Sequence, residues 1–355
     1  MTNGGFQQTP LFQMNLMLFL SLPSSEAFIT PVFHNEGFVL HRVAPRIATP
    51  QDAIIRCQEE GLSIQQAASP EIVLRHEQRN LLVPIECKVN SFGPDSSNST
   101  QARALLSFVC PYLADYFGLR SPDKWRSSII YVVTGGTENQ QQQTLEMLTR
   151  EMRDARVNVA ESGAVGIYIA NDGIFLKSSD DARVPLVSLR NRSATGTRVM
   201  TLVRGEDPRP LFIIPIDPSI DMDDPIERAI LEERIRQSVA AAIASRLDNS
   251  EFEFELTEIL EAVTIIWELW RGSEAAAAFA NAVRSYTRTV ISELRKIGVN
   301  AQLKDNRIGF SGITPELAQM VRRYFESSEF RRGEVNFWKI IGQLDFSSID
   351  SSWAQ

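Results

Sequence analysis

Residues 70–101 read PEIVLRHEQRNLLVPIECKVNSFGPDSSNSTQ. From Leu81 to Asn90 alternate positions fall into two sets: Leu81, Val83, Ile85, Cys87 and Val89 are all apolar, whereas Leu82, Pro84, Glu86, Lys88 and Asn90 are mixed. Successive side chains on a strand point to opposite faces, so this pattern predicts a strand with one buried face. Glu86 and Lys88 then project from the same side, roughly 7 Å apart along the strand. Upstream, Glu71–Arg75 reads as a second short strand, and the polar run His76–Asn80 suits a turn. With Glu77–Asn80 as the loop, antiparallel pairing sets Glu71 opposite Glu86, their Cβ atoms about 5 Å apart. Two carboxylates so placed repel each other. A hard divalent cation such as Mg2+, which takes oxygen ligands and one or two carboxylates at a time, relieves that repulsion.

Pro70-Glu71, fourteen residues, then Glu86-Cys87-Lys88 resembles the motif of the PD-(D/E)xK nuclease superfamily, which includes the restriction-endonuclease-like folds. This chain has Glu where the motif name has Asp. The resemblance covers at most residues 35–200, and only its short core is specific. Lys88 is the one lysine among six with an acid two residues before it, which raises the weight of a short triplet. The resemblance implies Mg2+-dependent hydrolysis of a phosphodiester, DNA before RNA, of the sort used in restriction or anti-phage defence. In it Glu71 and Glu86 hold the metal with the backbone carbonyl of Cys87. Lys88 orients water or stabilises phosphate charge. Gln101, on the following helix, positions water or Lys88. The competing reading of the same residues is a surface strand edge carrying an ordinary Glu-Lys pair. In that case the chain is a non-catalytic assembly protein with a nuclease-like fold.

Pro84 stands against a simple internal strand, because proline cannot donate to a ladder. Either it marks a bulge or an outward position, or the strand begins near Ile85.

The 355 residues are more than one core usually serves, and at 43% hydrophobic and 23% charged they have a globular composition. Cys57, Cys87 and Cys110 form no CxxC pair, which favours a reducing, cytoplasmic setting. His34, His41 and His76 form no zinc-type spacing. The net charge of −8 falls entirely after residue 205: residues 206–355 hold 17 basic and 25 acidic side chains. The neutral first part leaves room for contact with a phosphate backbone.

Along the chain, residues 1–24 contain an apolar run without an early Lys or Arg, too short to span a membrane, and read as a segment docked on the core or on a second subunit. AFITPVF and GFVLHRV read as strands in residues 27–43. A helix capped by Thr49 with Pro50 in its first turn runs to about Glu60. Glu59 or Glu60 either adds an acid to the site or is simply solvated. Residues 91–100 read as a loop, and Gln101–Phe117 as a helix. SIIYVV (128–133) is a buried-type strand, and the Thr134-Gly135-Gly136 that follows is a plain turn or a phosphate cradle. A helix over 139–155 and a hairpin about Asn171-Asp172-Gly173 follow.

Residues 182–205 carry Arg183, Arg190, Arg192, Arg198 and Arg204 without an acid. Such a run suits nucleic-acid backbone contact or internal ion pairing. A proline-rich stretch from Glu206 marks a domain junction. Beyond it the pattern predicts helices at 225–247, 254–270, 274–297 and 315–327 and a small hairpin at 300–310. The apolar stripe ending in Trp267 and Trp270 suits a buried bundle or the face of a homodimer. The organisation expected is therefore an N-terminal segment (1–24), an α/β restriction-endonuclease-like domain with a mixed sheet flanked by helices (25–205), and a mainly α-helical domain (206–355).

Overall fold

The computed structural model describes residues 10–24, 28–170, 173–190, 196–201, 225–312, 314–327 and 330. The chain divides into two compact units, Met1–Phe212 and Ile213–Gln355. The proline-rich junction, Arg192 and Arg204 lie outside the described residues, as does the side chain of Arg190.

The first unit is mixed α/β. Its elements are α1 (Pro10–Ser21), α2 (Val32–Asn35), β1 (Val39–Val43), β2 (Ile47–Ala48), α3 (Gln51–Glu59), β3 (Ala67–Ala68), β4 (Ile72–His76), β5 (Leu81–Cys87), α4 (Ser97–Leu106), α5 (Tyr112–Tyr116), β6 (Arg126–Thr134), α6 (Glu138–Asp154), β7 (Glu161–Ala170), β8 (Gly173–Ser178) and β9 (Thr197–Thr201). Seven strands form one sheet in the order β1-β4-β5-β6-β7-β8-β9. β5, β6 and β7 run parallel, joined by helical crossovers, and the other neighbours are antiparallel. Ile72 pairs with Ile85 and His76 with Leu81, the register that a loop at Glu77–Asn80 requires. Asn80 closes that loop at φ 47°, a left-handed conformation that asparagine tolerates.

β5 departs from the one-faced strand that its alternation predicts: all seven of its residues are buried. The face bearing Leu82 packs into a core with Val73, Ile129, Tyr131 and Ala164 beneath α4 and α6. α1 crosses β1, β4 and β5. Its Phe12, Met14, Leu16, Met17, Leu18 and Leu20 are all buried, as is typical of a helix apolar all round. An internal strand covered by helices on both sides has no solvent face, so the polar positions of its second set, Pro84 and Glu86, are buried too.

Pro84 sits inside this internal strand without a bulge. Pairing to β6 lapses at Val83 and Pro84, yet the offset is unchanged from Leu82↔Ser127 to Ile85↔Ile130. One missing donor therefore costs the ladder a local gap and no slip.

Several boundaries differ from the sequence reading. Of AFITPVF, residues 28–33 form no strand: Ile29 makes a single bridge to Met200, and Val32–Asn35 is a helical turn. The Thr49 hydroxyl donates to the Gln65 carbonyl (2.6 Å) in place of capping α3. α4 starts at Ser97, inside the expected loop, and ends at Leu106. The helix expected to reach Phe117 is split, because Pro111 lacks an N–H and opens the separate helix α5.

The second unit contains α7 (Pro225–Asp248), β10 (Glu253–Glu255), α8 (Leu256–Val263), α9 (Trp267–Trp270), α10 (Glu274–Lys296), β11 (Asn300–Lys304), β12 (Arg307–Ser311) and α11 (Pro315–Glu326). Its three strands pair in the order β10-β12-β11, so Phe254 begins on a strand and not in a helix. Trp267 and Trp270 are buried at 7% and 0% exposure against Phe279, with ring centroids 6.0 and 4.9 Å from it. The stripe read as a possible homodimer face is an intrachain core. No helix among the described residues is long and apolar enough to cross a membrane.

Candidate functional site

The β4–β5 register carries the site. Extending Ile72↔Ile85 by one residue brings Glu71, just before β4, opposite Glu86. Both are buried, Glu86 completely. The Cys87 N–H donates to Glu71 Oε2 at 2.8 Å. On a strand the N–H and C=O of one residue face the same neighbour, so the Cys87 carbonyl also looks to the Glu71 side. The Lys88 N–H continues the ladder onto the Val132 carbonyl (2.8 Å), which keeps Lys88 in strand geometry past the end of β5.

Lys88 Nζ stands 2.7 Å from Glu86 Oε1 and donates to Gln101 Oε1 at 3.1 Å. Gln101 reaches it because α4 begins four residues earlier, at Ser97. The structure thus gathers Glu71, Glu86, Cys87, Lys88 and Gln101 where β5 ends and α4 passes over it.

Electrostatics follow from burial. Desolvation first, and then the Glu86 carboxylate, push the Glu71 carboxyl well above the ordinary carboxylate range. Burial alone would lower Lys88, but the Glu86 and Glu71 carboxylates outweigh it and raise the ammonium. Tyr131, the β6 register partner of Glu86, is pushed well above the usual phenol range by burial and then by the same two acids. The Lys88 ammonium is an ion-pair partner of Glu86, yet neither Glu86 oxygen receives a well-directed hydrogen bond.

Two buried acids side by side, the Glu86 oxygens without a well-directed hydrogen bond, beside a backbone carbonyl, fit a small hard cation that keeps most of its own water. Among the described residues no group of three or more His, Cys, Asp or Glu side chains has metal-holding geometry.

Other expected residues lie elsewhere. Arg183 is exposed and 3.7 Å from Glu161, which opens β7, whereas Glu86 and Lys88 stand at the closing end of β5. Since β5, β6 and β7 are parallel, Arg183 marks the opposite end of the sheet. Arg198 stacks on Phe175 at 5.3 Å, on the edge strand β9. That strand is four places from β5, roughly 19 Å at ordinary strand spacing. Glu59 and Glu60 are exposed.

The Gly135-Gly136 turn is no phosphate cradle. The Gly136 N–H donates to Glu138 Oε2 (2.7 Å), and the Tyr168 hydroxyl donates to Glu138 Oε1 (2.6 Å), so a carboxylate already fills the start of α6. Burial, with Glu138, pushes Tyr168 up to about 12. A cleft of about 420 Å³ opens between Pro50, Ser107, Tyr112, Asp123 and Asn158, and none of the gathered residues lines it. Sequence reading missed Tyr131 and Glu138; Tyr131 sits within an apolar run and signals nothing until register pairs it with Glu86.

The chain matches no protein-family model, no curated protein and no solved structure.

Proposed function

We propose that the chain is a metal-dependent nuclease with a restriction-endonuclease-like core and DNA as its substrate. The observation that carries this reading is the convergence of Glu71, Glu86, Lys88 and Gln101 from two strands and a helix. The order α3, acid-bearing strand pair, α4, parallel strand is the order that the PD-(D/E)xK resemblance implies.

Glu71, Glu86 and the Cys87 carbonyl would hold Mg2+. When bound, the ion polarises a phosphoryl oxygen and lowers the pKa of attached water. Lys88 is placed to put a positive charge beside the phosphate as negative charge builds on it. The Gln101 carbonyl oxygen holds the Lys88 ammonium in place. Sheet and helices around Glu86 exclude water from one side of the pair, which strengthens each of these interactions.

A second reading has one observation in its favour: at 2.7 Å, Lys88 already neutralises Glu86 from within the chain. An assembly protein with a degenerate site would show that ion pair and no metal binding. Incubation of the purified chain with plasmid, linear and single-stranded DNA, with Mg2+ or with chelator, decides between them. Glu86→Ala is expected to abolish both cleavage and Mg2+ binding without unfolding the chain. Lys88→Ala is expected to abolish cleavage and leave Mg2+ binding largely intact. A wild-type chain that binds no Mg2+ and cuts no substrate would leave the assembly reading.

A further inference from the structure

Tyr131 lies at the centre of β6, 1% exposed, directly across the parallel β5–β6 ladder from Glu86. Register partners on adjacent strands project from the same face, so its phenol and the Glu86 carboxylate share the layer beneath α4 and α6. The Tyr131 hydroxyl has no hydrogen-bond partner among the described residues, and neither Glu86 oxygen has a well-directed one. A buried phenol without a partner, on the strand next to a buried carboxylate whose charge Lys88 meets at 2.7 Å without a well-directed hydrogen bond, is rare enough in folded proteins to need an explanation.

Gln141 of α6 adds a third such group. It is fully buried, its Oε1 accepts from the Phe92 N–H at 3.2 Å, and its Nε2 has no partner. The Phe92 ring in turn packs edge-on to Tyr131 with centroids 5.9 Å apart. The chemistry of the three is complementary. An amide N–H can donate only, a phenol both accepts and donates, and a carboxylate accepts only.

Building on the nuclease reading, we propose that Tyr131 is a positioning residue: its hydroxyl, supplied from behind by Gln141, donates to the Glu86 carboxylate, directly or across one ordered water. Glu86 then approaches the cation position with its orientation set by β6, independently of Lys88. Outer hydrogen bonds of this kind orient the groups that hold a metal and commonly change its affinity 10–100-fold when removed.

Two measurements on the full chain test this. In chelator, urea unfolding of wild type, Tyr131→Phe, Glu86→Gln and the double variant gives a double-mutant cycle that needs neither metal nor activity. Tyr131→Phe removes only the hydroxyl, so the ring packing on Phe92 persists. Gln141→Leu, run in the same cycle against Glu86→Gln, serves if Tyr131→Phe does not fold. Non-additive effects are expected for the Tyr131 pair, and a smaller coupling for Gln141. Strict additivity for both would overturn the proposal.

Calorimetric titration with MgCl2 is the second readout, with about a tenfold weaker affinity expected for Tyr131→Phe. Unchanged affinity in a wild-type chain that does bind Mg2+ would also overturn it. Coupling in chelator with no Mg2+ binding by wild type would uphold the Tyr131–Glu86 contact and sink the nuclease reading instead.

Discussion

At the scale of single residues the chain concentrates its electrostatic cost in one acid pair, and pH is the variable that exposes it. Glu71 binds its proton more tightly when folded than when unfolded. Its stabilising contribution is therefore fully present below the unfolded value of 4.5 and is lost as pH rises through the raised folded value. His41 behaves in the opposite sense. Burial, helped by Arg42 and Arg75, lowers it from 6.5 to about 4, so its contribution is present above pH 6.5 and lost as pH falls toward 4. In chelator, the melting temperature of the wild type is expected to sag on both sides. Glu71→Gln should flatten the alkaline limb alone and His41→Phe the acid limb alone. An alkaline limb identical in wild type and Glu71→Gln would show that Glu71 is not the group that titrates there. Added Mg2+ should raise the alkaline limb of the wild type only. The pair itself was legible in sequence, because strand alternation and a four-residue turn fix which side chains meet. The depth of its burial was not, since alternation reports one face of a strand and the covering of the other depends on distant helices.

At the scale of elements, the seams between strands and helices are tight where glycine is needed. A Cβ on Gly135 would lie 2.7 Å from the Ile167 carbonyl oxygen and 2.7 Å from the Tyr168 ring. The first of these is backbone on β7 and cannot swing aside. Gly135→Ala is expected to cost about 1–3 kcal/mol, the usual range for overpacking, and to disturb the Glu138–Tyr168 hydrogen bond. Urea unfolding gives the first, and titration of the Tyr168 phenol, held near 12 in the wild type, gives the second. A loss below about 0.5 kcal/mol would mean that β7 yields easily at this seam. The elements read at 81–90, 139–155 and 225–247 appear as β5, α6 and α7, each starting within one residue of that reading. Those that moved did so for local reasons: Pro111 divided a helix, Ser97 opened α4 earlier than the glycine- and serine-rich stretch suggested, and Val32–Asn35 coiled in place of an expected strand. Pro84 shows the limit of a residue rule. A proline excluded from central strands by its missing N–H is accepted here because the register on either side is held by four other pairs to β4 and five to β6, and by α1 above them.

At the scale of the whole molecule, all of the gathered residues belong to the unit Met1–Phe212, while the excess of acid lies in residues 206–355. An enzyme that cuts both strands of a duplex works most simply as a two-fold dimer, which puts two sites on one substrate. A homodimer is therefore still our proposal, but Trp267 and Trp270 cannot be its face, because both pack against Phe279 inside the unit Ile213–Gln355. The two roles make opposite predictions for one substitution. As a core residue, Trp270 is worth about 3–5 kcal/mol when truncated to Ala, from lost burial and the cavity left behind. As an interface residue it would change the sedimentation mass at protein concentrations where the fold is intact. Trp270→Ala is expected to lower the urea midpoint strongly and to leave the mass of the folded fraction as it is in wild type. A shift from dimer to monomer with unaltered unfolding would restore the tryptophans to the surface. A wild-type chain that sediments as a monomer at micromolar concentration, with and without DNA, would remove the dimer and leave each site to cut one strand at a time.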